Sequence, residues 1–391
     1  MIALQHKLNN LLIEPFNDAQ FNQRNDWNIL YVSCETSGAN FYRILNPYNA
    51  LPNTSVVSTA LTYWMRYNPQ KRFSIPEEHP ALTEKQLIWA NTIVIPFITQ
   101  PISEFVQEAK MINPEVIICY HVELDFINIP DKNPIKTFFS DEVQKTIIDN
   151  ITIADKVIVT TPLLATYLLT YMQEVGIELD KKKLSVQLLL ADSPLFLENV
   201  DMMPKDKAVF TLTVLATNWQ MNDIDAVLPM LKNAKKKHGK ALKIVFFGIN
   251  KNADGFDKKM KGLEYIPEKP VPIWEYYKKL NEINSNAVLI PSDASEWTQR
   301  SADYKRFIDS SILKTPIITK NVAPYNLVAT QNETSFLYDT EEQFLSLLDK
   351  LIADPAKAEA VGISANTLII QNFSFTNDKL QKLIDLYSPT S

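Results

Sequence analysis

Two hydrophobic patterns alternate along the chain. Short unbroken apolar runs, rich in valine and isoleucine, occur at NILYVSC (28–34), SVVST (55–59), NTIVIPF (91–97), EVIICY (115–120), KVIVTT (156–161) and SVQLLL (185–190). Between them, apolar positions recur at helical spacing in ISEFVQEAKMI (102–112), DEVQKTIIDNITIA (141–154) and PLLATYLLTYMQEV (162–175). Continuous apolar strands separated by helices predict a parallel sheet covered on both faces, a doubly wound α/β domain.

The alternation stops at ENVDMMPKDK (198–207), a polar stretch with no period, and then restarts. Strands are predicted at AVFTLTVLA (208–216), LKIVFFGI (242–249), LEYI (263–266), AVLIPS (287–292), TPIIT (315–319) and SFLY (335–338). Helices are predicted at 223–237, 272–283, 303–313, 341–353 and 355–371, and a last amphipathic helix at 376–387. The pattern therefore predicts two α/β units: 1–200, then a linker at 201–207, then 208–374, with a C-terminal helix and tail at 375–391. A chain of 391 residues is long for one core, which agrees with two domains. Ligands of such sheets bind beyond the C-terminal strand ends, and the cleft between two such units is the expected site.

Composition narrows the function. A formal net charge of −6 argues against a polyanion binder that works through its overall field. The two cysteines, Cys34 and Cys119, sit in strand-like contexts and read as buried thiols, which supports neither disulfides nor a cysteine zinc site. No metal site is predicted. The N-terminus has no signal-peptide pattern and no apolar run reaches about 18 residues, so a cytoplasmic protein without a transmembrane segment is expected. Only seven glycines are present, so Gly38 and Gly248, each just past an apolar run, are informative.

Five stretches carry candidate chemistry. The loop Glu35–Arg43, with Gly38 at its centre, could bring backbone N–H groups close to an anion, or be an ordinary strand-to-helix turn. His121, Glu123 and Asp125 alternate at the end of a strand and share one side if the chain stays extended. Asp223-Ile-Asp225 opens a helix, where acids are favoured by capping and the macrodipole, so a metal role is not needed. Lys235–Lys240 ends that helix and reads as a solvated cationic face.

The fifth stretch is RSADYKRFIDSSILKTPIIT (300–319). Arg300 and Ser301 are expected in the loop after AVLIPS, and Lys305 and Arg306 in the first helical turns. Cations oppose the macrodipole there, and a bound diphosphate would offset that cost. Asp309 could pair with Lys305 and Arg306, as in a solvated face, or accept from the sugar hydroxyls of a nucleotide.

This stretch is similar to the K-S-x-x-K-x-x-E-x-x-x-x-G-x-P-V-V-x-S element of the GT-B glycosyltransferases, in particular glycosyltransferase family 4 with its group 1 C-terminal domain. SGANFYRILNPYNAL, YHVELDFINIPDKNP, ADKVIVTTPLLATYL and FLYDTEEQFLSLLDKLIADPAKAEAVGISA resemble other elements of that family. The resemblance spans nearly the whole chain. It implies two Rossmann-like domains and transfer of a sugar from a nucleotide-diphosphate donor such as a UDP- or GDP-sugar. It further implies retention at the anomeric carbon and no obligate metal or other cofactor. The acceptor would be a glycan, a protein, a small molecule or a modified DNA base. By resemblance Arg300, Ser301, Lys305 and Arg306 neutralise the donor diphosphate, and Asp309 stands where a glutamate holds the ribose. Gly38 lets the N-terminal loop close on the substrates, His121 lies under the transferred sugar, and Glu123 accepts the acceptor's proton. The chain departs from the element at Asp309, at Lys314-Thr315 in place of the glycine ahead of Pro316, and in ATNWQMN, which lacks a glycine. A different class of function on this scaffold is a non-catalytic nucleotide or glycan binder.

Overall fold

A computed structural model of the protein describes residues 27–32, 41–51, 54–57, 84–192, 196–197, 200–205, 208–249 and 256–388. Cys34 and Gly38 lie outside them. The strands are β1 (Ile29–Val32), β2 (Thr54–Val57), β3 (Thr92–Ile95), β4 (Ile117–Val122), β5 (Lys156–Val159), β6 (Leu184–Val186), β7 (Phe210–Leu215), β8 (Leu242–Phe247), β9 (Ile266–Glu268), β10 (Ala287–Ile290), β11 (Ile317–Lys320) and β12 (Phe336–Tyr338). The helices used below are α1 (Asp141–Ile153), α2 (Pro162–Glu174), α3 (Met221–His238), α4 (Ile273–Ile283), α5 (Glu296–Ser301), α6 (Lys305–Ile312), α7 (Glu341–Ala353), α8 (Pro355–Phe373) and α9 (Asn377–Tyr387).

The described residues divide into two compact units. One combines the residues up to Ile127 with Phe138–Leu190 and the segment from Phe375 onward; the other combines Asn128–Thr137 with Ala191–Ser374. In the first, six parallel strands run in the order β2-β1-β3-β4-β5-β6. In the second the order is β12-β11-β10-β7-β8-β9, again all parallel. The fold class expected from the pattern is therefore observed: two doubly wound α/β sheets. In the second sheet the order reverses between β7 and β10, and that switch point is where an open α/β sheet offers a crevice.

Continuous apolar runs became strands buried on both faces. Every residue of β3, β5, β7 and β10 is buried. Helix α7 spans the residues its period predicts, because Thr340 and Gln343 cap its start reciprocally. Helix α9 returns to the N-terminal sheet. Thr92 Oγ1 donates to the Tyr387 carbonyl at 2.8 Å, Lys156 Nζ donates to the Leu386 carbonyl at 2.9 Å, and Tyr387 meets Tyr31 edge-on at 5.7 Å. A cation on the last carbonyls of a helix satisfies groups that would otherwise be orphaned.

Three readings are corrected. The strand expected at 263–266 forms at Ile266–Glu268, at the sheet edge where Pro267 can pair without an N–H. Tyr265 instead packs its ring edge-on against Phe246 and Phe256. The helix expected at 303–313 is the shorter α6, preceded by the separate helix α5. The Lys235–Lys240 cluster is not simply a solvated face. Lys237 Nζ lies 2.6 Å from Asp349 Oδ2 and His238 Nε2 lies 2.9 Å from Asp349 Oδ1, which ties α3 to α7.

Lys314, between α6 and β11, has a left-handed backbone with φ 52°. A side chain is disfavoured there, so Lys314→Gly is expected to raise stability by about 0.5–1 kcal/mol, read from the denaturant midpoint of the C-terminal unit. Among the described residues no helix is long and apolar enough to cross a membrane.

Candidate functional site

The C-terminal unit gathers a polar network at the switch point of its sheet. After β7 the chain turns through Thr217 into a short 3-10 helix, Asn218–Gln220, that leads into α3. Gln220 Oε1 accepts from the backbone N–H of Thr217 at 3.2 Å. One turn on, Asp223 is buried, 3 % exposed. Its Oδ1 accepts from the Asp293 N–H at 2.9 Å and from Thr298 Oγ1 at 3.2 Å, both beyond β10. Its Oδ2 accepts from Gln220 Nε2 at 3.4 Å. Burial pushes the Asp223 carboxyl up to about 6, against the pull of its hydrogen bonds and of Arg306. Asp225, the second acid of the pair, faces outward to Lys259.

The end of β8 is held close to the end of β7. Gly248 has φ 95°, and a Cβ on it would stand 2.6 Å from the Ala216 carbonyl oxygen, so only glycine fits. The glycine that the pattern singled out thus shapes the same sheet edge.

The three cations of the 300–309 stretch have different fates. Arg300 lies in the last turn of α5 rather than in a loop, and pairs with Glu296 one turn back at 3.0 Å. The N-cap Ser295, accepting from Thr298 N at 3.2 Å, starts that helix. Ser301 is its last residue, half-buried. Lys305 opens α6 as expected, and its charge is met by Asp303, which accepts from both its backbone N–H at 3.1 Å and its Nζ at 3.0 Å. The cost of a cation at a helix start is offset by that carboxylate. Arg306 differs: its Nη2 donates to Gln220 Oε1, a neutral amide.

Asp309 is 5 % exposed and turned toward α4. Its Oδ1 accepts from Tyr277 Oη at 2.6 Å and its Oδ2 from Tyr276 Oη at 3.2 Å. Tyr276 stacks on Phe247 at 5.5 Å, beside the end of β8. Burial and the Asp309 charge hold the Tyr276 phenol well above its usual pKa, so it stays a neutral donor.

The N-terminal unit holds a second cluster. His121 is the penultimate residue of β4, with 1 % exposure. Burial, then the nearby Arg43 charge, lower its pKa to about 3, so the imidazole is neutral at physiological pH. Its Nε2 has no hydrogen-bond partner among the described residues. Arg43 sits in a single π-helical turn, Phe41–Leu45, whose five residues are all buried. Its Nε lies 3.3 Å from Glu123 Oε1. Gln187 Nε2 donates to the Arg43 carbonyl at 3.4 Å and lies 3.3 Å from Tyr387 Oη. Asp125 serves the local turn, accepting from Ile127 N at 3.0 Å. Gly38 is outside the described residues.

Gln220, Asp223, Tyr276 and Arg43 were not singled out as site residues from sequence. Gln220 looks like an ordinary capping glutamine and Asp223 like a first-turn acid. Their partners lie up to 86 residues away, which no local pattern reports.

No protein-family model matches the chain, and no curated protein matches it. Solved structures do. HepE from Anabaena, solved with UDP and glucose, aligns over 92 % of this chain and 98 % of its own, with TM-score 0.60 and 11 % identity. A glycosyltransferase from Rickettsia africae aligns over 93 % and 98 %, with TM-score 0.58 and 15 % identity. The fold is that of the GT-B glycosyltransferases. TarM also matches, with TM-score 0.52 and 16 % identity over 76 % of this chain; the chain spans about half of TarM, 54 %. Within the GT-B fold, the Gln220–Asp223–Arg306 network occupies the switch point of the C-terminal Rossmann-like unit, and the Arg43–His121–Glu123 cluster belongs to the N-terminal one.

Proposed function

We propose that the protein is a glycosyltransferase that binds a nucleotide-diphosphate sugar on its C-terminal unit and moves the sugar to an acceptor hydroxyl. The observation that carries this is Arg306: a half-buried guanidinium with a neutral amide partner, at the switch point of a doubly wound sheet. HepE solved with UDP-glucose supports a UDP-type donor. TarM solved with fondaparinux, a GlcNAc-glycerol and UDP supports a glycan among the candidate acceptors. Protein, small-molecule and modified-DNA acceptors remain in the same class.

The leaving nucleoside diphosphate gathers negative charge as the glycosidic bond breaks. Arg306 would stabilise it without a metal, and one such preorganised donor is typically worth about 10²–10³ in rate. Arg300 and Lys305 would have to exchange Glu296 and Asp303 for phosphate oxygens, with Ser301 between them. Asp309 would act on the ribose through the Tyr276 hydroxyl, because its own carboxylate is buried against the two phenols. In the N-terminal unit neutral His121 would lie under the transferred sugar, and Glu123 would accept the acceptor's proton once the acceptor displaces it from Arg43. Gly38 would serve closure of the N-terminal loop. Retention at the anomeric carbon is part of the same proposal and follows from the family resemblance.

The test is thermal stability with UDP, GDP, CMP and ADP, with and without EDTA. At a hundred times its dissociation constant, the correct nucleotide should add about 2.7 kcal/mol, unchanged by EDTA. Arg306→Ala should lose the effect. Binding by none of the four would remove the reading. Firm binding without turnover of any nucleotide-sugar would make the chain a non-catalytic binder on the same scaffold.

A further inference from the structure

We propose that Asp223 is a positioning residue for Arg306, acting through the side-chain amide of Gln220. The inference rests on the donor-site reading above for its function, and on hydrogen-bond polarity for its geometry. An arginine has only donors, so the Gln220 atom facing Arg306 must be the oxygen. The same oxygen also accepts from the Thr217 N–H. An ionised carboxylate has only acceptors, so the Gln220 atom facing Asp223 must be the nitrogen. Asp223 thus fixes which way the amide points, and the amide fixes where the guanidinium sits.

Asp223 is itself locked. Its other oxygen is held by the Asp293 N–H and the Thr298 hydroxyl, so the carboxylate cannot turn away. The relay therefore spans the crevice from the loop after β7 to the loop after β10 and ends on the first turn of α6. A cap alone would not need a buried charge. An aspartate used only to start α3 could face water, as Asp225 does. Here the charge is kept 3 % exposed, where its ionised form is disfavoured.

Asp223→Asn tests this almost without changing shape. Its oxygen can still accept from Asp293 N and Thr298 Oγ1, but its amide now points at Gln220. The Gln220 amide must then turn over and present N–H groups to Thr217 N–H and to Arg306, which expels the guanidinium. Dissociation constants for UDP and GDP are measured by calorimetry on the wild type, Asp223→Asn, Gln220→Met, Arg306→Ala and the double variant Asp223→Asn/Arg306→Ala. In parallel, the guanidinium resonances of Arg306 are recorded by NMR without nucleotide.

We expect Asp223→Asn and Gln220→Met each to weaken the bound nucleotide about tenfold. In the Arg306→Ala background Asp223→Asn should change nothing further, because its effect runs through that side chain. The Arg306 resonances should report a restrained guanidinium in the wild type and a freely rotating one in both single variants. Unchanged affinity in Asp223→Asn, or a further loss on top of Arg306→Ala, would overturn the relay. If Asp223→Asn does not fold, Gln220→Met, at a half-buried surface position, carries the same test. If the wild type binds neither nucleotide, the donor reading falls, and the resonances alone decide the relay: an Arg306 equally mobile in wild type and Gln220→Met would sink it.

Discussion

Gly362→Ala is expected to cost the C-terminal unit about 3 kcal/mol or more, the upper end of what overpacking does. A Cβ at Gly362 would stand 2.1 Å from the Lys314 carbonyl oxygen, 2.7 Å from its carbonyl carbon and 3.0 Å from Pro316 Cδ. Those atoms are backbone and proline ring, so no side chain can swing aside. Relief requires moving α8 away from the end of α6. That movement would break a second contact one turn along, where Asn366 Nδ2 donates to the carbonyls of Ser311 at 3.0 Å and Ile312 at 3.3 Å. Those carbonyls belong to the last turn of α6, where Ser311 also accepts from the Lys314 N–H at 2.9 Å.

The consequence reaches the proposed donor site, because α6 carries Arg306 on its first turn and Asp309 on its second. Gly362→Ala should therefore weaken nucleotide binding as well as stability, although Gly362 touches no site residue. Ile363→Ala is the control: its side chain is 49 % exposed on the same helix, and its cost should stay near 0.5 kcal/mol. Chemical denaturation of the two variants, followed by a probe in the C-terminal sheet, measures both. A Gly362→Ala loss below about 1 kcal/mol would mean that α8 is not pinned against α6 as described.

Local periodicity made the architecture readable, and its limits follow from the same cause. Helix α7 is specified by its own residues: apolar Phe344, Leu348 and Leu351 on one face, and a capping pair at its start. The buried strands were readable because both faces are covered, so their residues need no alternation. Helix α5 has six residues, too few to show a period, so the pattern alone reads Arg300 as part of a loop. Site chemistry was less readable because its partners are distant. Asp309 was expected to face either its own cations or a ligand, and its carboxylate is held by phenols 32 and 33 residues earlier. Asp223 lies in a first helical turn, as the pattern predicts, but nothing near it in sequence announces Asp293 and Thr298. Lys314 shows the converse. The family element has a glycine at this turn, and the left-handed backbone there gives the physical reason.

Acid should act on the two units with opposite signs, and His121 supplies the larger effect. In the folded protein its pKa is lowered from 6.5 to about 3, by burial first and by Arg43 second. Below pH 6.5 the unfolded chain takes up a proton that the folded chain refuses. The stabilisation from this group is therefore fully present above pH 6.5 and is lost as pH falls toward 3, at about 1.4 kcal/mol per pH unit in the steepest part. Asp223 runs the other way. Its folded pKa is raised from 3.8 to about 6, so the folded C-terminal unit takes up a proton first. Its contribution is present in full below 3.8 and is lost as pH rises through 6. Because the chain has two compact units, one unfolding midpoint would blend the two effects. Native-state hydrogen exchange separates them. Between pH 6 and 4, protection of the β4 and β5 amides should fall in the wild type and fall much less in His121→Gln, whose side chain does not titrate. Over the same range the first turns of α3 should lose less protection in the wild type than in Asp223→Asn. Equal slopes for His121→Gln and wild type at β4 would mean that the folded imidazole takes up its proton over the same pH range as the unfolded one, and that burial does not hold the ring neutral in acid.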